Sequence, residues 1–245
     1  MCGIAGFIDN TLKKSNPELN RLAKNMAATL AHRGPDHSGE WMDQESGLAL
    51  GHRRLSILDL SIEGNQPMVS RSGRYVLIHN GEIYNYRDLK KDLEKNGYEW
   101  RGNSDTEVML ASFETWGIKN SLKRFNGMFA FALWDRKERS LFLARDRMGI
   151  KPLYYGQNNG IFLFGSQLKA ITAHPAWQGE IDRDAEDFDQ IRDTIMNEVF
   201  NFGSIDRFNH TLNATYNVPI NKIPLFDWTS LQAQYGANYT WTASP

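Results

Sequence analysis

Cysteine is almost absent from this chain: Cys2 is the only one in 245 residues. A single thiol excludes an intrachain disulfide framework, and no Cys/His cluster with zinc spacing accompanies it, so no metal site is expected. A surplus of either charge is missing as well. At a net charge of -1 the chain has no electrostatic pull toward nucleic acid or an anionic membrane surface. The first apolar stretch, Cys2 to Ile8, stops at Asp9 with no basic region before it, too short and wrongly flanked for a secretory signal. Cytoplasmic residence is the expectation. No Walker-type glycine-rich loop with Lys-Ser or Lys-Thr occurs. The hydrophobic content of 41% nevertheless suffices for a real core.

The lone cysteine stands directly behind Met1. Its small side chain favours removal of Met1, which would leave one residue carrying both a thiol and a free α-amine. These groups titrate near ~8.5 and ~7.7–8.0, so each can exchange a proton with the other at small cost. A buried, inert cysteine near a strand end is the competing reading, and the position alone does not decide between them.

Through Ile181 the texture is mixed α/β. Gly3 to Ile8 reads as a buried strand, and Leu19, Leu22, Met26 and Leu30 fall at helical spacing. Leu48 to His52 and Tyr75 to His79 read as strands, the second ending at an Asn80-Gly81 turn signal. Tyr86 to Asn96 reads as a helix capped by Gly97. Ser104 as N-cap with Glu107 three residues on predicts a capping box opening a helix to about Trp116. Met128 to Trp134, Ser140 to Ala144, Pro152 to Tyr155 and Ile161 to Phe164 are short β-type runs. Strands and helices out of strict βαβ order predict an α+β fold, with sheets packed face to face and covered by helices.

Five segments carry a further signal: Cys2-Gly3-Ile4-Ala5-Gly6, His32-Arg33-Gly34-Pro35-Asp36, Gly51-His52-Arg53-Arg54-Leu55-Ser56-Ile57, Asn80-Gly81-Glu82-Ile83-Tyr84-Asn85 and Ser104-Asp105-Thr106-Glu107. In order and spacing they resemble the class II glutamine amidotransferase domain. Phe125 to Ala130 and Ala144 to Tyr155 narrow this to the glutaminase half of glutamine-hydrolysing asparagine synthetases. Amidophosphoribosyltransferase, glucosamine-6-phosphate synthase and glutamate synthase share such a half and remain alternatives, as does a catalytically idle fragment. The resemblance covers residues 2–183 and implies an N-terminal-nucleophile hydrolase fold, a four-layer αββα sandwich. It implies that Cys2 attacks the carboxamide of L-glutamine while its own amine shuttles the proton. It also makes Asn80 and Gly81 the oxyanion donors, with Arg54, Leu55, Ile57, Glu82 and Asp105 completing the substrate site.

Arg54 suits the glutamine carboxylate because its planar fork grips such a group bidentately; a plain surface arginine is the alternative. Glu82 and Asp105 suit the ammonium, although Asp105 also fits a simple helix start. His32, His52 and His79 are read as structural, since an N-terminal amine makes a histidine base unnecessary. Arg33 and Asp36 are read from the resemblance as a loop closing over glutamine. No cofactor is implied for this half. ATP and Mg belong to a synthetase module marked by a Ser-Gly-Gly-x-Asp-Ser loop, which is not found, so the ammonia-accepting module is expected to be absent. A homodimer is compatible with this reading. Gln167 stands where the family usually has glutamate.

Residues 184–245 change in character. Ala185 to Met196 reads as an acidic helix, and after Arg207 only Lys222 and Asp227 are charged. Leu212, Ala214, Tyr216 and Val218 alternate with polar residues, and the alternation returns from Leu231 to Ala243. A soluble hairpin and an outer-membrane hairpin fit this pattern equally. Tyr216 to Lys222 and Tyr239 to Ala243 resemble the large outer-membrane β-barrel proteins of the Bacteroidetes type 9 secretion and gliding machinery. Two strands cannot close a barrel. The expectation is therefore a truncated or chimeric chain with a β-rich, loosely ordered tail.

Overall fold

The computed structural model describes residues 1–12, 14–158, 160–177, 207–218 and 231–242. The chain divides into two compact units, Met1–Gly179 and Glu180–Pro245. The first runs β1 (Gly3–Asp9), α1 (Asn16–Ala28), β2 (His37–Asp43), β3 (Leu48–Arg54), β4 (Met68–Val69), β5 (Tyr75–Ile83), α2 (Tyr86–Glu94), α3 (Asp105–Trp116), α4 (Ile118–Arg124), β6 (Gly127–Asp135), β7 (Ser140–Arg145), β8 (Tyr154–Asn158), β9 (Ile161–Gly165) and α5 (Leu168–Thr172). The strands form two antiparallel sheets, ordered β2-β3-β1-β9-β8 and β4-β5-β6-β7.

Strand alternation builds three stacked layers of core, because both faces of each sheet are covered. In β5, Val76 and Ile78 face inward with Ala130, Ala132 and Trp134 of β6 and Ile4, Leu48, Leu50 and Phe164 of the other sheet. The intervening Tyr75, Leu77, Phe129, Phe131 and Leu133 pack beneath α2 and α3 with Leu89, Leu93, Val108, Met109 and Phe113. On the far side Ala5 and Phe7 of β1 meet Leu19, Leu22, Met26, Ala170 and Ile171 from α1 and α5. The result is the αββα order expected. Each fully buried leucine or phenylalanine contributes about 1.5–3 kcal/mol, so the continuous apolar runs of β5 and β6 follow from a strand that has no solvent face.

Two sequence expectations are corrected, and one strand was not anticipated. Asn80-Gly81 is not a turn: β5 continues through it, pairing Asn80 with Ala130, Gly81 with Phe129 and Ile83 with Gly127, so tertiary pairing overrides local turn propensity. The capping box is half formed. Ser104 Oγ accepts the Glu107 N–H at 3.2 Å. The Glu107 carboxylate instead accepts the N–H groups of Arg101 and Gly102, both at 2.9 Å. Strand β2 escaped the periodicity because it is an edge strand with all seven residues partly exposed.

In the second unit β10 (Arg207–Val218) pairs antiparallel with β11 (Leu231–Thr242), in a register running from Arg207 opposite Thr242 to Val218 opposite Leu231. The expected helix over 185–196 and the loop bearing Pro219 and Pro224 lie outside the described residues.

Candidate active site

Antiparallel pairing of β1 with β3 sets Gly3 opposite Arg53, which places Cys2 and Arg54 at the same end of the sandwich. A cavity of about 160 Å³ opens there, and its lining includes Cys2, Arg54, Leu55, Ile57, Asn80, Gly81, Glu82 and Asp105. All eight residues expected as nucleophile, oxyanion donors or substrate contacts thus line one cavity. A larger groove, about 1020 Å³, lies near the other end of β5, around Arg74 and Arg136, and contains none of them.

The Cys2 thiol sits against the backbone of one residue, Leu55. Sγ accepts the Leu55 N–H at 3.4 Å and faces the Leu55 carbonyl at 3.7 Å. Burial pushes the Cys2 thiol up, with the Leu55 N–H opposing it. Burial acts the other way on the chain's amine, here that of Met1, and lowers it below 8.0; Arg33 and Lys151 lower it further while Cys2 and Asp36 oppose. Burial thus favours the uncharged form of each group.

Asn80 is 1% exposed, yet neither its Oδ1 nor its Nδ2 has a partner. Leaving a buried polar group unpaired costs about 1–3 kcal/mol, so this carboxamide is held ready for something that enters the cavity. The backbone beside it is equally prepared. His79 N–H donates to Gln66 Oε1 at 2.6 Å and Ile83 N–H to Asp105 Oδ2 at 2.9 Å. Since successive N–H groups of a strand point to opposite edges, the Gly81 N–H points to this same edge, between those two. Strand β4 pairs only with Val76 and Leu77, so it leaves that edge uncovered. Packing against β6 requires a glycine here. A Cβ on Gly81 would sit 2.1 Å from the Met128 carbonyl and 2.6 Å from Phe129 Cα, forcing β5 off β6.

Arg54 is 6% exposed and largely committed within the protein. Its Nη1 donates to the Ser61 carbonyl at 2.8 Å and Asn65 Oδ1 at 2.7 Å, and its Nη2 to the Asp59 carbonyl. Of five guanidinium donors, two remain for a ligand. Gly64 leaves room for this packing, because a Cβ there would meet Nη2 at 2.2 Å.

Segment 33–36 is not among the residues lining the cavity. Four bonds brace it: Arg33 Nε donates to the Cys2 carbonyl at 3.0 Å, Arg53 Nε to the Gly34 carbonyl at 3.0 Å, Asp36 N–H to the Arg54 carbonyl at 3.0 Å, and Ser56 N–H to Asp36 Oδ2 at 2.7 Å. In this structure the segment braces the Cys2 backbone and the end of β3 from outside the cavity. His52 is fully buried, its Nε2 donates to the His79 carbonyl at 3.1 Å, and burial lowers its pKa to about 3. His79 is lowered by burial as well. Both rings are neutral at pH 7, as a structural reading requires. Gln66, Thr106 and Lys151 also line the cavity; Thr106 lies in the Ser104–Glu107 segment and Lys151 in the Ala144–Tyr155 run, neither singled out there, whereas Gln66 lies in none of these segments and only the fold brings it in.

A four-layer αββα sandwich with a candidate nucleophile at the head of an inner strand defines an N-terminal-nucleophile hydrolase. The glutamine amidotransferase domain matches residues 1–217. The chain belongs to that family. It is 40% identical over 205 residues to asparagine synthetase [glutamine-hydrolyzing] 3 of Bacillus subtilis, covering 83% of this chain and 31% of that protein. It is 38% identical over 187 residues to amidase chry2 of Gibberella zeae, covering 72% and 28%. The chain therefore spans under a third of the length of these curated relatives. Among solved structures, glutamine phosphoribosylpyrophosphate amidotransferase from B. subtilis superposes with a TM-score of 0.59 at 23% identity, over 71% of this chain and 44% of that one. The family match extends to residue 217, beyond residue 183. No helix among the described residues is long and apolar enough to cross a membrane.

Proposed function

We propose that this chain hydrolyses L-glutamine to glutamate and ammonia through a Cys2 thioester, and that the ammonia feeds asparagine formation from aspartate. The observation that carries the chemistry is the buried, unpartnered Asn80 carboxamide in the cavity that holds Cys2. With Met1 removed, the freed amine of Cys2 takes the thiol proton as sulfur attacks the side-chain carbonyl. Charge develops on that oxygen, and Asn80 Nδ2 and the Gly81 N–H receive it. The C–N bond breaks, the amine returns its proton to the leaving nitrogen, and ammonia departs. Water then cleaves the thioester, giving glutamate and the free thiol. The remaining donors of Arg54 take the glutamine α-carboxylate, Glu82 and the second Asp105 oxygen take the ammonium, and Leu55 and Ile57 wall the methylenes.

The asparagine assignment rests on the synthetase relatives, and the acceptor of ammonia is a synthetase module of that type. Removal of Met1, established by mass spectrometry, together with Cys2 labelling by 6-diazo-5-oxo-norleucine and glutamate release from glutamine, is the expected result. An unlabelled Cys2 in a folded, Met1-free chain would sink the reading.

A further inference from the structure

The edge of β5 that presents the Gly81 N–H to the cavity is held by side chains, because no strand covers it there. On the far side of Gly81 the anchor is Asp105, already a substrate candidate. On the near side it is Gln66, which is 6% exposed and makes two bonds with opposite polarity. Its Oε1 accepts the His79 N–H at 2.6 Å, and its Nε2 donates to Thr106 Oγ1 at 3.2 Å. Thr106 Oγ1 also lies 3.3 Å from His79 Nδ1. One carboxamide therefore ties the strand that carries Asn80 and Gly81 to the first turn of α3. Asp105 makes the matching tie from the same turn to Ile83. The strand between has one position available to it, with its own donors left over.

We propose that Gln66 is a positioning residue for the oxyanion site, fixing the height of the Asn80-Gly81 segment relative to Cys2 by bridging His79 to Thr106; this rests on the glutaminase reading above. Gln66 works through the strand and does not touch the reacting carbonyl. Its loss leaves the His79 N–H buried and unpaired, and the segment is free to shift toward other acceptors. Misplacement of about 1 Å costs on the order of 10²-fold in rate.

The test compares wild type, Gln66→Met and Thr106→Val, all with Met1 removed. It measures glutamine turnover, Cys2 alkylation by iodoacetamide, and affinity for the γ-aldehyde analogue of glutamine. The thiol adds to that aldehyde carbon and its proton ends on oxygen, giving a tetrahedral adduct at the oxyanion site. Displacement of iodide forms no oxyanion. Gln66→Met should lower kcat by about 10²-fold and weaken aldehyde capture by a similar factor, with KM and the alkylation rate unchanged. Thr106→Val should do the same more mildly. Unchanged aldehyde capture in both variants overturns the positioning role. So does a uniform loss of all readouts together with a lowered Tm, which marks a purely structural residue. A wild type that neither turns over glutamine nor captures the aldehyde, while still alkylated, overturns the glutaminase reading itself.

Discussion

Asp105 accepts the Ile83 N–H at 2.9 Å, joining the first turn of α3 to the last residue of β5. The residue stands in the first turn of α3 and lines the cavity, so its place is compatible with both readings. Removing it should damage the helix start and the cavity alike. Asp105→Ala is expected to lower Tm and to raise KM for glutamine, whereas Asp105→Asn, which keeps an acceptor for Ile83, should restore most of the Tm but not the KM. Thermal melts beside steady-state kinetics separate the two.

Cys2→Ala should abolish glutamine hydrolysis and leave the circular dichroism spectrum unchanged, because among the described residues the thiol makes only weak hydrogen bonds, to the Leu55 N–H and carbonyl. Measurable turnover in that variant would end the thioester route.

Asn80→Ala should separate activity from stability. Losing an oxyanion donor costs about 2.7–4 kcal/mol of transition-state stabilisation, which turnover measurements should register as a slowing of roughly 10²–10³-fold. Because both amide atoms are buried without partners, their removal also relieves an unpaired group. The expected Tm is no lower than wild type, and a clear drop would show that Asn80 is a structural residue.

Gly64→Ala puts a methyl where Arg54 Nη2 lies. That nitrogen ends a flexible side chain, but one tied by three acceptors and unable to swing freely. The guanidinium should shift and lose its grip on the substrate carboxylate. Charge-assisted bonds of this kind are worth about 1.5–3 kcal/mol, so KM should rise roughly 10- to 100-fold with a smaller change in kcat. Equal KM in the two proteins would remove Arg54 from the clamp.

The pH profile follows from the amine. The free base of the Cys2 amine that Met1 removal exposes is the active form, so kcat/KM should fall as pH drops through the pKa of that amine. A kcat/KM with no acid limb down to about pH 5, far below the ordinary α-amine range near ~7.7–8.0, contradicts this. Stability has its own acid limb at Asp146. Burial pushes that carboxyl up, but N–H bonds from Lys151, Ile150 and Phe129 outweigh it and hold the pKa below 3.8. Its contribution is complete above the unfolded value and is lost as pH falls through the folded one. Asp146→Asn should cost about 1–3 kcal/mol near neutrality, since an amide cannot accept all three bonds, and should flatten the acid side of a Tm-against-pH curve.

Much of this was readable in the chain because local and tertiary demands agree there. Leu19, Leu22 and Met26 share one face of α1, and all are buried. Ser104 begins α3 as its hydroxyl predicts. The misreadings fall where tertiary structure overrules the local signal. Asn80-Gly81 has turn chemistry, but β6 holds it extended. Glu107 had a capping partner in reach and bonds the Arg101 and Gly102 peptides instead. Gln66 could not have been picked out, because its importance lies in distance from Thr106, 40 residues further on. The motif-borne residues converge on one cavity, whereas the bracing role of segment 33–36 emerges only from its bonds to β3 and Cys2.

Leu55 offers the Cys2 sulfur a donor and an acceptor at once, its own N–H and C=O, which belong to the peptide units on either side of its Cα. A thiol can aim its hydrogen at the carbonyl, and a thiolate can draw on the N–H, without the sulfur changing place. Proton departure then alters which of two adjacent peptide groups carries the interaction, and the attacking atom keeps its aim. Little solvent or side-chain rearrangement has to accompany the step, so a poorly acidic thiol can serve as nucleophile without being stored in its charged form.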